Sequence, residues 1–226
     1  MMSTKISWAL CACAVLFGLP AMAAAPAGEP VVAGPPGKTA APAGTYSLDK
    51  AHSTVVFRLS HMGFSRFTGG FDAVDGKLAF DPAHPAAMSV AATIDPKSLH
   101  LPMPPPGFKD TLLGPNWLDA AKYPEITFRS TKVEMTGPNT ARVTGDFTLH
   151  GVTKPVVLES TFNGGYPPNS FDPGGARIGF SGHGVIRRSV YGIAYGIPAP
   201  GTNMGVGDQI DVTIETEWAG GKPAAK

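Results

Sequence analysis

Cysteine is nearly missing from this chain of 226 residues: the only two, Cys11 and Cys13, fall among its first 23 positions. Long apolar runs are equally scarce. The uncharged stretch from Ile6 to Leu19 is too short to cross a bilayer as a helix. With Lys5 before it and Pro20, Ala21, Met22 and Ala23 after it, the stretch has the order of a secretory signal peptide, cut after Ala23. An uncleaved anchor, or lipid attachment at the loose box Leu10-Cys11-Ala12-Cys13, are the weaker alternatives. Cleavage leaves a mature chain without a thiol, which excludes disulfides, thiolate metal sites and a cysteine nucleophile. The expectation is a periplasmic protein with no integral membrane span after signal cleavage, held together by its core alone.

Charge of either sign is also lacking. The chain has 18 Lys and Arg against 17 Asp and Glu, and loss of Lys5 balances them. No basic cluster offers the footprint that nucleic acid requires, and anionic membranes are not favoured. The six histidines, His52, His61, His84, His100, His150 and His183, form no H-x-H, H-x-x-x-H or H-E-x-x-H pattern. Gly179-Phe180-Ser181-Gly182-His183 only grazes the G-x-S-x-G elbow of hydrolases, and no phosphate-binding glycine loop occurs. Neither a metal nor another cofactor is expected.

What is present is strand after strand. Residues 24–43, rich in Ala, Pro and Gly, read as a disordered linker, and 220–226 as a flexible tail. Between them, Val55, Phe57 and Leu59 alternate with Val56, Arg58 and Ser60 over Ser53 to His61, the period of a half-buried strand. Further strands are expected at Tyr46 to Asp49, Phe71 to Phe80 with a bend at Gly76, Ser89 to Asp95, and from Ile126. Arg142 to Leu149 and Lys154 to Phe162 flank a hairpin tip at His150-Gly151, followed by Ala176 to Arg188 and Gln209 to Trp218. No βαβ alternation and no fixed repeat interrupts them. The one break is Leu99 to Tyr123, where Pro102, Pro104, Pro105 and Pro106 forbid a ladder. Phe108 to Leu113 and Asn116 to Ala121 there fit short helical pieces separated by Pro115, the second capped by Asn116. The fold expected over residues 44–219 is all-β: an extended antiparallel lipocalin-like β-barrel of about eight strands with a short helical segment near its mouth.

Several blocks of the sequence go further. Tyr46-Ser47-Leu48-Asp49-Lys50-Ala51-His52-Ser53 precedes Leu59-Ser60-His61-Met62-Gly63; Trp117-Leu118-Asp119 leads to Tyr123-Pro124-Glu125-Ile126-Thr127-Phe128; Gly145-Asp146-Phe147-Thr148-Leu149-His150-Gly151 is followed by Arg188-Ser189-Val190-Tyr191-Gly192 and Val206-Gly207-Asp208. In order and spacing these resemble the YceI-like family of exported proteins. The resemblance implies a barrel whose interior takes a long apolar chain such as a polyprenyl lipid, an isoprenoid quinone or a fatty amide, with no shared catalytic set. Pro102 to Pro106, Leu112 to Pro115 and the loops 166–175 and 195–204 depart from that pattern.

The reading that follows is a binder of a long-chain isoprenoid or other lipid, not an enzyme, for transport, storage or sensing. Its candidate ligand-binding residues are Phe57, Leu59, His61, Phe64, Phe67, Phe71, Phe128 and Tyr191, with Phe108, Leu112 and Trp117 near the mouth. His61, at the end of the apolar wall of Phe57 and Leu59, can meet a head group or simply cap the core. An enzyme with His61 or His52 as general base needs a cavity histidine beside a carboxylate. A structural or interaction module needs an exposed apolar patch. A homodimer is compatible with the sequence.

Overall fold

The computed structural model describes residues 39–172 and 174–220. The expected signal peptide, most of the linker and residues 221–226 lie outside them. Alternating apolar positions set the strands, and β4 (Val74–Phe80) keeps the pattern without a fault: Val74, Gly76, Leu78 and Phe80 are buried and the residues between them exposed. The other strands among the described residues are β1 (Gly44–Leu48), β2 (Thr54–His61), β3 (Ser65–Phe71), β5 (Ser89–Ile94), β6 (Leu99–His100), β7 (Ile126–Met135), β8 (Thr140–Leu149), β9 (Val152–Tyr166), β10 (Ala176–Arg187) and β11 (Val206–Gly220).

All pairings are antiparallel. The order β1-β4-β5-β7-β8-β9-β10-β11 returns to β1, so the sheet closes into an eight-stranded barrel. The three extra strands are continuations. β11 pairs β1 through Trp218 and β2 from Glu215 to Val206, so β1 and β2 form one path broken at residues 49–53. β4 and β3 continue each other across Asp72-Ala73, and β5 and β6 across residues 95–98. Each break begins with an aspartate: Asp49 accepts from Ala51 N and Asp95 from Lys97 N, closing local turns, while Asp72 N donates across to Ser98 O in the neighbouring break. Closure leaves no edge strand in the eight-stranded body of the barrel, only strand ends paired on one side.

The expectation of one strand from Phe71 to Phe80 bent at Gly76 is corrected. The bend is at Asp72-Ala73, and Gly76 lies within β4 beneath Trp218, where a Cβ would stand 3.0 Å from the indole. The β8–β9 link is the expected tip, with His150 and Gly151 both at positive φ (52° and 74°), as a twisted hairpin needs. The helical segment is half as long as expected. Only α1 (Phe108–Leu113) forms; residues 116–121 turn instead, their N–H groups returning to the carbonyls of Leu112, Leu113 and Gly114, and Asp119 sits at φ 45°. Asn116 therefore caps no helix. The last residues of the expected linker, from Thr39, are packed: Ala41 is 3% exposed and the Thr39 hydroxyl donates to Gly165 O.

One end of the barrel carries its densest aromatic packing. Phe80 stands at the centre of an aromatic group with Tyr46, Phe162 and Phe180 at ring separations of 5.5, 5.9 and 6.5 Å. The other end carries the β2–β3 turn, the α1 segment, the His150 tip and residues 188–205.

Candidate functional site

Between these ends the barrel is hollow, with a cavity of about 670 Å³. That lies within the range of ligand sites, about 300–1,000 Å³. The inward residues of β2, Val55, Phe57, Leu59 and His61, run down one wall at period two. A bulge in β7 between Ser130 and Lys132 changes its phase, so Ile126 and Phe128 face inward before it and Val133 after it. Glycines make room for rings. Gly69, opposite Phe57, and Gly145, beside Phe128, each lie beneath an aromatic ring that a Cβ would strike, at 2.5 and 2.4 Å.

Of the eleven residues expected to bind ligand, nine line this cavity: Phe57, Leu59, His61, Phe67, Phe71 and Phe128 from strands, and Phe108, Leu112 and Trp117 from the α1 segment. Two do not. Phe64 closes the β2–β3 turn, where Met62 and Gly63 take positive φ and throw the chain outward, and it is 84% exposed. Tyr191 is buried one layer behind the wall, its ring edge-on to Phe147 at 5.5 Å; burial raises its phenol pKa. The cavity lining reaches solvent at His61 and Pro105 on the open end and at Ser89 toward the other.

Among the described residues the lining holds one permanent charge, Arg188, which is not among the eleven expected. It is 2% exposed and has no carboxylate within salt-bridge reach among the described residues. Its guanidinium is solvated by backbone instead. Nε donates to Gly207 O (2.9 Å), one terminal nitrogen to Ile193 O (3.0 Å) and Tyr195 O (2.8 Å), and the other to Val206 O (2.7 Å). The Trp117 ring covers it at 5.0 Å. Desolvation lowers its pKa, with the Asp208 charge opposing. Alternation along β10 was the available signal: Phe180, Gly182, Gly184 and Ile186 line the cavity, and Arg188 is the next in step.

The two histidines weighed as general bases divide the requirements between them. His61 faces the cavity, but no carboxylate lines it among the described residues. His52 has a carboxylate, with Nδ1 3.1 Å from Asp49, but stands exposed and away from the lining. Asp49 also binds Arg177, and hydrogen bonding from His52 foremost holds its carboxyl at about 2. The same contact raises the His52 pKa. Asp49, His52 and Glu217 bring ligand atoms within 4.8 Å of one another, yet the Arg177 cation already occupies Asp49.

Residues 46–218 match the model of the YceI-like domain. The chain belongs to that family. It is 40% identical over 177 residues to a UPF0312 protein of Pseudomonas syringae pv. tomato, covering 76% of this chain and 86% of that one. A UPF0312 protein of Vibrio cholerae is 35% identical over 182 residues, covering 79% and 88%. Among solved structures, Burkholderia cenocepacia BcnA superposes with a TM-score of 0.63 at 28% identity, covering 75% of this chain and 98% of that one. A polyisoprenoid binding domain from Saccharophagus degradans shares the fold, with a TM-score of 0.56 at 15% identity over 77% and 97%. The YceI-like barrel thus accounts for nearly all the described residues, and none of their helices is long and apolar enough to cross a membrane.

Proposed function

We propose that this YceI-like protein carries a long-chain apolar ligand inside its barrel, an isoprenoid lipid, an isoprenoid quinone or a related single-chain lipid. The observation that carries the reading is the cavity itself: about 670 Å³ walled by aliphatic and aromatic side chains inside a closed barrel. Apolar contact alone can hold such a chain. Burying on the order of 600 Å² contributes roughly 15 kcal/mol at about 25 cal/mol per Å², against an association cost of about 4 to 15 kcal/mol. The Saccharophagus neighbour, named for polyisoprenoid binding, has the same fold and agrees with this class of ligand.

The polar end of the ligand belongs at the open end, where His61 and Arg188 interrupt the apolar wall. Four carbonyls take four of the five guanidinium N–H groups. An acceptor head such as a carbonyl or hydroxyl suits these donors, and an ammonium does not. The role is carriage, storage or sensing without turnover, in a periplasmic setting that the Ile6 to Leu19 run supports. Displacement of a fluorescent fatty probe by prenyl alcohols of increasing length tests the reading. Affinity is expected to rise with chain length until the cavity is filled; indifference to length contradicts it.

A further inference from the structure

Large apolar side chains stand in water around the open end. Met103 is 97% exposed, Phe64 84%, Met204 68% and Tyr195 58%, with Val190 half exposed beside them. They sit on separate connections that the structure ties into one rim. Met62 N donates to Gly205 O (2.8 Å) and Val206 N to Gly196 O (2.7 Å), joining the β2–β3 turn to the 194–205 loop. Trp117 meets the Tyr195 ring at 5.6 Å, joining that loop to the α1 segment. Met103 precedes Pro105, which lines the opening with His61. Exposed apolar side chains scattered singly need no explanation; a group gathered at the opening of an apolar cavity does.

We infer that this rim docks on the surface of a zwitterionic phospholipid bilayer, with Phe64, Met103 and Met204 inserted among the lipids and the cavity opening between them. The inference rests on the ligand-carrying reading above. Three observations favour a bilayer over a protein. The apolar groups are tips of different loops, which a fluid surface accepts one by one. The rim is continuous with the cavity, so a water-insoluble ligand passes from lipid to barrel without crossing water. The charges nearby balance in sign: Arg66 pairs with Asp211, Arg187 faces Asp208 at 3.9 Å, Asp208 also accepts from Ser189, and on α1 Lys109 stands next to Asp110. No surplus of either sign remains to select anionic lipid or an oppositely charged protein, so insertion rather than electrostatic attraction governs binding.

The test is partition of the protein, purified after export by its host, into phosphatidylcholine vesicles. The triple variant Phe64→Ser, Met103→Ser, Met204→Ser is compared with Phe171→Ser, which removes an equally exposed ring from the packed end. The triple variant is expected to lose at least tenfold in partition, the Phe171 variant less than twofold, and raising salt from about 0.05 to 0.5 M should change either by less than about twofold. Equal partition of the triple variant and the parent overturns the inference. So does a dimeric parent whose triple variant is monomeric, which makes the rim an interface between copies. Ligand binding from detergent micelles is measured alongside. Its retention in the triple variant, with partition lost, supports docking as a separate function; its absence in every protein counts against the carrier reading, while the partition result still decides docking.

Discussion

Phe57 reaches over Gly69, its direct partner across the β2–β3 ladder: a Cβ on the glycine would meet the far end of the ring at 2.5 Å. Only side-chain atoms obstruct that position, and the ring borders the cavity into which it can swing. At Gly145 a Cβ would meet both Phe128 (2.4 Å) and the carbonyl of Arg129 (2.6 Å), and backbone cannot swing aside. Gly69→Ala should therefore cost about 1–2 kcal/mol and Gly145→Ala about 3 kcal/mol. Gly69→Ala should also weaken ligand binding by crowding the cavity. Chemical denaturation checks the order; equal costs would show that the rings do not depend on the glycines.

Densely packed and cavity-facing rings should answer differently to the same truncation. Phe80 is closed in by Tyr46, Phe162 and Phe180, so Phe80→Ala is expected to destabilise by about 3–5 kcal/mol. Phe57 faces the cavity on one side, and Phe57→Ala should cost on the order of 1–2 kcal/mol. Denaturant midpoints at constant m decide it, and a loss at Phe57 as large as that at Phe80 would mean the cavity is closed in solution.

Arg188→Met leaves the carbonyls of Ile193, Tyr195, Val206 and Gly207 without their donor. Because a buried polar group left unpaired costs about 1–3 kcal/mol, a loss of about 3 kcal/mol or more is expected. It should be concentrated in the 193–207 connection. Amide exchange of that segment is the measurement: protection there should fall well before that of β8 and β9, and uniform change across the barrel would rule out the clamp.

Asp49 and His52 fix a pH dependence. Asp49 is held at about 2 against an ordinary 3.8, so its contribution is complete above about pH 4 and disappears as pH falls toward 2. His52 is raised above its ordinary 6.5, so its contribution is complete below 6.5 and is lost as pH rises through the raised value. Melting temperatures of the parent and of Asp49→Asn should differ most between about pH 4 and 6.5 and converge toward pH 2. A gap that stays constant down to pH 2 would contradict the assignment.

The barrel was legible wherever alternation is strict, as from Val55 to Leu59, and where turn chemistry is explicit, as at His150-Gly151. The same alternation puts Phe57, Leu59 and His61 on the cavity wall, whereas Phe108, Leu112 and Trp117 reach it from the irregular connector before β7. Alternation ends at His61, because the positive φ of Met62 and Gly63 resets the facing, and aromatic character alone does not show that Phe64 turns outward. Tyr191 was misplaced for a similar reason, since it follows the end of β10 on a short 3₁₀ turn where period two no longer applies. The turns after Pro115 looked helical because composition does not reveal that Asp119 takes a left-handed conformation. For Arg188 only the step of two from Ile186 points inward; its backbone-carbonyl partners leave no trace in side-chain identity. The hollow itself is a property of volumes summed across eight strands, and no single segment encodes it.

Native mass spectrometry of the protein purified gently from its own host, with organic extraction of the same sample, tests the central claim most directly. The account predicts a bound species that extraction removes and that runs as a long-chain lipid, or an empty barrel that fills on addition of polyprenols or quinones. A barrel that is consistently empty and takes up neither contradicts it.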